Sequence, residues 1–177
     1  MRRYIMAGGL LVGSLAALTL PAIPGSASTR AQTTATEKVG AAKSLRSSIV
    51  SIARSELGQQ ERPPGSNCTK YGPCEVWCGY FTMWVNKMAG APYISSGHVP
   101  TIRSWALSVG NAHLPQNAKK GDLIFWDPDI IQWHNGIVVS VSADKKKIRV
   151  ISGNVGEAVV EKTYKRQTFD VAISVVP

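Results

Sequence analysis

The chain is predicted to be an α+β protein, with helices first and a mainly antiparallel sheet packed against them. Two observations predict this. Before Gly110, apolar residues recur at helical spacing, once through Leu45, Ile49, Ile52, Ala53 and Leu57, and again through Trp77, Phe81, Trp84, Val85 and Met88. After Gly121 the pattern changes to short runs rich in Val, Ile and aromatic residues at 122–126, 133–141, 147–152, 159–163 and 169–175, separated by polar, Gly- or Lys-rich breaks.

Residues 1–27 read as an export signal. Arg2 and Arg3 precede an apolar run that ends at Pro21 and Pro24, and small residues follow up to Ala27. The rival reading, an uncleaved anchor, meets the objection that the run is short for a membrane span and its helix stops at Pro21. Residues 28–43, rich in Ala, Thr and Ser without apolar period, are expected to form a flexible lead-in. The domain is expected over 44–177, about the size that supports one core. Its first helix starts at an N-cap Ser44 and stops at Gly58. The second runs from 75 or 76 to 88 and is ended by Gly90, Ala91 and Pro92, and a third is expected over 101–109. Residues 110–121 are expected to be loop.

The sequence carries 20 Lys and Arg against 11 Asp and Glu, a net charge of +9. Such charge draws an exported protein toward anionic surfaces such as cell-wall polymers, although it also serves solubility. Export makes nucleic acid an unexpected partner.

Three cysteines, Cys68, Cys74 and Cys78, leave one thiol over in an oxidising compartment. A Cys68–Cys74 disulfide would leave Cys78 free, whereas Cys74–Cys78 would consume it. A free Cys78 sits in the first turn of the second helix, where unpaired N–H groups and the helix dipole favour a thiolate. The same N–H groups can hold an oxyanion. The competing reading is a small packed residue beside Trp77 and Phe81.

A thiol nucleophile needs a base. His98 and His113 fall in loops and read as surface residues, while His134 opens a strand, Trp133-His-Asn-Gly-Ile-Val-Val, a rigid platform for a catalytic group. The break at 142–146 makes a hairpin centred near Asp144, so paired residues sum to about 288 and Asn154 is expected opposite His134. Its amide oxygen would fix the imidazole tautomer. The competing reading of Asn154 is a turn former after Gly153.

These residues resemble the CHAP family, the cysteine- and histidine-dependent amidohydrolases and peptidases of the papain-like/NlpC superfamily. The resemblance spans about 45–176, through Ile52-Ala53, Leu57-Gly58, Asn67 with Tyr71, Trp77-Cys78-Gly-Tyr-Phe81-Thr-Met-Trp84-Val85, Gly121-Asp122-Leu-Ile-Phe-Trp126, His134-Asn-Gly-Ile-Val-Val139 and Ile151-Ser-Gly-Asn154. It implies a papain-like core and a secreted cysteine hydrolase of bacterial peptidoglycan, an N-acetylmuramoyl-L-alanine amidase or an endopeptidase. The catalytic set would be Cys78, His134 and Asn154, with Cys68–Cys74 a disulfide. Asn67 or Tyr71 would add an oxyanion donor, and Trp77 and Trp133 would flank the substrate. Two departures stand out. Ser152 occupies a position that is acidic in many relatives, and Trp133 replaces the usual Gly before the histidine. No acidic calcium loop and no zinc spacing occur, so neither metal nor cofactor is expected. A monomer without stable membrane insertion is expected. The alternative function is a catalytically idle module that holds wall fragments or a protein partner on the same fold.

Overall fold

The structure, a computed structural model, describes residues 26–131 and 133–177, the backbone alone for 26–33. The expected signal peptide therefore lies outside the described residues, apart from Ser26 and Ala27. The chain divides between Ala35 and Thr36 into two units; the first is described from Ser26 as helix, and the second holds the sheet and the other helices. None of the described helices is long and apolar enough to cross a membrane.

Three helices precede the main sheet. Helix α1 spans Ser26–Ser55, α2 Cys78–Ala89 and α3 Val99–Val109. Six strands follow: β1 Asn111–His113, β2 Leu123–Trp126, β3 Asn135–Val141, β4 Lys147–Ser152, β5 Val160–Lys165 and β6 Phe169–Ser174. They form one antiparallel sheet in the order β1-β6-β2-β3-β4-β5. The α+β class and the helices-then-sheet order are as expected from sequence.

Helix α1 begins well before Ser44. Residues 28–43, expected as a flexible lead-in, are helical: Ala, Glu and Lys dominate 35–43 and no Pro interrupts the segment, although Thr33, Thr34, Thr36 and Gly40 are weak helix formers. Residues 34–41 are exposed, which is why no apolar stripe marked this part of the helix. Ser44 is an exposed mid-helix residue, not a cap. Helix α2 ends where the periodicity requires, at Gly90, whose φ of 72° is the left-handed C-cap conformation that glycine takes without steric cost. Strand β1 lies inside the segment expected to be loop. Its three residues, Asn-Ala-His, carry no alternation and become a strand only because β6 offers an unpaired edge.

The sheet has two covered faces. Ile137, Val139 and Ile151 pack on Ile49 and Val50 of α1 and Phe81 and Val85 of α2, with Trp77 between. Leu123, Phe125 and Ile173 continue that face under Ile102 and Ala106 of α3, and Cys78 and Met83 join this cluster. The opposite face holds Ile124, Trp126, Val138, Ile148, Val150, Phe169 and Ala172. Tyr164 of β5 and Phe169 of β6 meet there, ring centroids 5.8 Å apart, although β2, β3 and β4 lie between their strands. The sheet is therefore rolled, with helices outside and an aromatic interior.

Candidate active site

The two halves of the site are carried by the start of α2 and the start of β3. Cys68 and Cys74 form a disulfide, which leaves Cys78 free. That loop and the segment before it are pinned by a buried carboxylate. Glu61 Oε1 accepts the Trp77 indole N–H at 2.8 Å, and Oε2 accepts the Asn67 main-chain N–H at 2.8 Å. Trp77 is the N-cap residue of α2 and caps with no side-chain hydrogen bond, so the first N–H groups of the helix stay available.

Cys78 is the first helical residue. Its Sγ lies 3.8 Å from the Trp133 carbonyl oxygen, and the nearby main-chain N–H groups of Gly79, Asn135 and Cys78 itself favour its thiolate. The sulfur thus touches the main chain on both sides of His134. Gly79 is required here, because a Cβ at that position would sit 2.1 Å from the Gly97 carbonyl oxygen. A helix start was expected to depress the thiol pKa. Instead burial, the largest influence, pushes it up, and the three N–H groups only partly oppose this.

His134 closes against the other face of the sheet. Its carbonyl accepts the Trp126 N–H at 3.0 Å, and its ring packs edge-on against the Trp126 ring, centroids 4.5 Å apart. Nε2 is buried there without a hydrogen-bond partner. Burial lowers the imidazole pKa to about 4, so it is neutral at pH 7. The described contacts of Sγ do not include this ring. Cys78 and His134 line neighbouring cavities that share Val99 and Trp133 as their common wall.

The expected register holds at the near end of the β3–β4 pair, where Ile137 faces Ile151 and Val138 faces Val150, but beyond an irregularity at Val139 it shifts by one residue, so that Ser140 faces Arg149 and Val141 faces Ile148. However, β4 ends at Ser152 and β3 begins at Asn135, and their last pair, Ile137–Ile151, stops three positions short of a His134–Asn154 pair. Gly153 is pressed against Trp77 and Phe81, where a Cβ would come within 2.5 Å of the indole. The chain turns there, with Asn154 at φ 58°. Asn154 consequently takes the turn-forming role and makes no described hydrogen bond to His134. Ser152, one pairing step before it, is fully buried, and its Oγ also has no partner.

Among the remaining candidates, Trp133 is 47% exposed and walls both cavities. Trp77 is fully buried and belongs to the core, not to a substrate surface. Tyr71 donates its hydroxyl to Glu56 Oε2 at 2.7 Å and stacks under Trp77, so its hydroxyl is committed away from the sulfur. Asn67 stands in a left-handed turn with its N–H on Glu61. The cavity at Cys78 is lined instead by Glu75, Val76, Tyr80 and residues 96–100, including His98. His98 is exposed, as its Ser-Gly loop leads one to expect, and stands at the rim of this cavity with Nδ1 2.8 Å from Thr101 Oγ1. Asn135 and Thr82 were passed over. The available signal was an amide in a run of otherwise apolar strand residues. Among the described residues no group of three or more His, Cys, Asp or Glu is placed to hold a metal ion.

With this geometry in view, the solved structure of Ly7917 bound to the hydrolysing product of MDP aligns with a TM-score of 0.50, at 15% identity, over 74% of this chain and 62% of that one. The NlpC/p60 domain of the peptidoglycan hydrolase SagA aligns over 73% of this chain and 97% of that one, at 24% identity and a TM-score of 0.49. At these identities the likeness is one of fold. No family model and no curated protein matches the chain.

Proposed function

We propose that the protein is a secreted cysteine hydrolase that cleaves amide bonds of bacterial peptidoglycan, as an N-acetylmuramoyl-L-alanine amidase or an endopeptidase of the CHAP type. The observation that carries this is a free cysteine at a helix start, with three main-chain N–H groups favouring its thiolate and its sulfur 3.8 Å from the carbonyl oxygen of Trp133, the residue before His134. Residues 1–27 serve export, and the Cys68–Cys74 disulfide is compatible with an oxidising compartment. The net charge of +9 favours an anionic wall.

In this reading the neutral imidazole of His134 turns from Trp126 toward the sulfur as substrate enters beside Trp133. It takes the Cys78 proton, and the thiolate attacks the scissile carbonyl carbon. The Cys78 N–H steadies the oxyanion. The tetrahedral intermediate collapses as His134 protonates the leaving amine, and water then hydrolyses the thioester. Asn154 or Ser152 would orient the imidazole only after such a turn. The second reading, an idle binding module, draws on the same burial, which disfavours both the thiolate and the imidazolium.

Incubation with purified peptidoglycan tests this. The protein should release new amino groups without new reducing ends. Cys78→Ala and His134→Ala should each lose activity by about a thousandfold or more, while His98→Ala should stay within about twofold. Retention on peptidoglycan without release of amino groups would replace the hydrolase with the binding module.

A further inference from the structure

Between α2 and β3 the structure buries a second pair of polar side chains. Asn135 and Thr82 are both 0% exposed. Asn135 Nδ2 donates to Thr82 Oγ1 at 2.9 Å, and Thr82 Oγ1 donates onward to the Gly79 carbonyl at 3.0 Å. Thr82 lies four residues beyond Cys78, one turn along the same side of the helix. The main-chain N–H of Asn135 is one of the three that favour the Cys78 thiolate, and the Cys78 sulfur lies 3.8 Å from the carbonyl oxygen of Trp133, two residues before Asn135. One strand residue therefore meets α2 at two successive turns, by main chain at the nucleophile and by side chain at Thr82.

Packing alone does not call for an amide here. Ile137 and Val139, on the same face of β3, are apolar. Asn135 Oδ1 is buried with no partner, which costs the full loss of its hydration. An aliphatic residue would avoid that cost.

We propose that Asn135 is a positioning residue for Cys78, with Thr82 as its anchor. The chain from Asn135 through Thr82 to the Gly79 carbonyl holds the first turn of α2 against the strand that follows His134. It thereby keeps the Asn135 N–H on the sulfur and the sulfur beside the histidine's main chain. This rests on the reading of Cys78 as nucleophile. Loosening the clasp lets helix and strand shift relative to each other, which weakens the N–H contact with the thiolate and misaligns the attack.

The test compares Thr82→Val, which removes the hydroxyl at nearly constant shape, with Thr82→Ser, which keeps it. Two readouts are used: the pH dependence of Cys78 alkylation by iodoacetamide, and kcat and KM on soluble peptidoglycan fragments. For the wild type, the alkylation midpoint should lie above the ordinary thiol range of about 8.5. Thr82→Val should raise it by roughly half to one pH unit and lower kcat about tenfold with KM within about twofold. Thr82→Ser should restore both. A folded Thr82→Val protein that alkylates and turns over like wild type, or one that loses only thermal stability, would overturn the proposal, as would a serine variant as impaired as the valine one. Alkylation needs no wall substrate. An unmoved midpoint therefore removes the clasp while leaving the hydrolase reading intact, and absent wall cleavage removes the hydrolase while the midpoint still decides the clasp.

Discussion

At the residue scale, burial against Trp126 takes the His134 ring well away from its behaviour in water. Its pKa of about 4 in the folded chain compares with about 6.5 when unfolded. The unfolded chain thus takes up a proton below pH 6.5 that the folded chain refuses until about pH 4. Stability from this group is fully present above pH 6.5 and falls as the pH is lowered toward 4, by up to about 3 kcal/mol. His134→Phe fills the space against Trp126 without titrating. Urea unfolding at steps between pH 7 and 4 should show the wild type losing that much more stability than the variant across the window. Parallel profiles would mean that the ring is solvated in solution. The same burial explains why sequence position misjudged Cys78. A helix start and three N–H groups favour the thiolate, but removing the sulfur from water outweighs them.

At the element scale, the start of α2 depends on a loop that has little apolar content of its own. Glu61 joins the two sides of that loop by accepting from Trp77 and Asn67 at once, while the Cys68–Cys74 disulfide closes it. Glu61→Gln keeps the shape but turns one acceptor into a donor, so either the indole or the Asn67 N–H faces another N–H group. The expected loss is about 1–3 kcal/mol, read as a lower urea midpoint with unchanged slope. A change within about 0.5 kcal/mol would show that neither hydrogen bond matters to folding. Strand β3 illustrates the reverse case. Its pairing with β4 follows from chain geometry, yet its ends are set by Gly153, which must lie flat against Trp77 and Phe81.

At the scale of the whole molecule, helix α1 is fastened to the sheet through Asp122. This carboxylate, fully buried, receives Arg46 Nη1 at 2.6 Å on Oδ1, and His113 Nε2 at 2.8 Å and the Lys119 N–H at 2.7 Å on Oδ2. Arg46 also reaches Ser174 on β6, so one carboxylate gathers α1, β1, β2 and β6. Asp122→Asn removes the charge that balances Arg46. It should destabilise the fold by about 3 kcal/mol, seen as a lower thermal midpoint, and the loss should be larger than that of the surface pair variant Arg103→Gln. Equal losses would show that the cluster is solvated and adds little. The rolled sheet matters to the site as well. By bringing Tyr164 and Phe169 onto Trp126, it fills the interior against which the His134 ring rests.

By itself the sequence determined whatever depends on short-range periodicity and on the identities of a few reactive side chains. Helical spacing around Phe81 and Val85 located α2. Alternation and turn residues located β2 to β6. Three cysteines left one thiol over, which the structure assigns to Cys78 by pairing Cys68 with Cys74, and hairpin arithmetic set the Ile137–Ile151 register. Tertiary structure alone decided how these pieces meet. It placed a strand on Asn111–His113, because an open edge can order a segment that has no pattern of its own. It stopped the β4 ladder before Asn154, and it chose Asn135 over His134 as the side chain that faces α2. The physical reason is common to all three: which face of a strand is covered, and where pairing ends, depend on packing between residues far apart in the chain, and local preference cannot encode that.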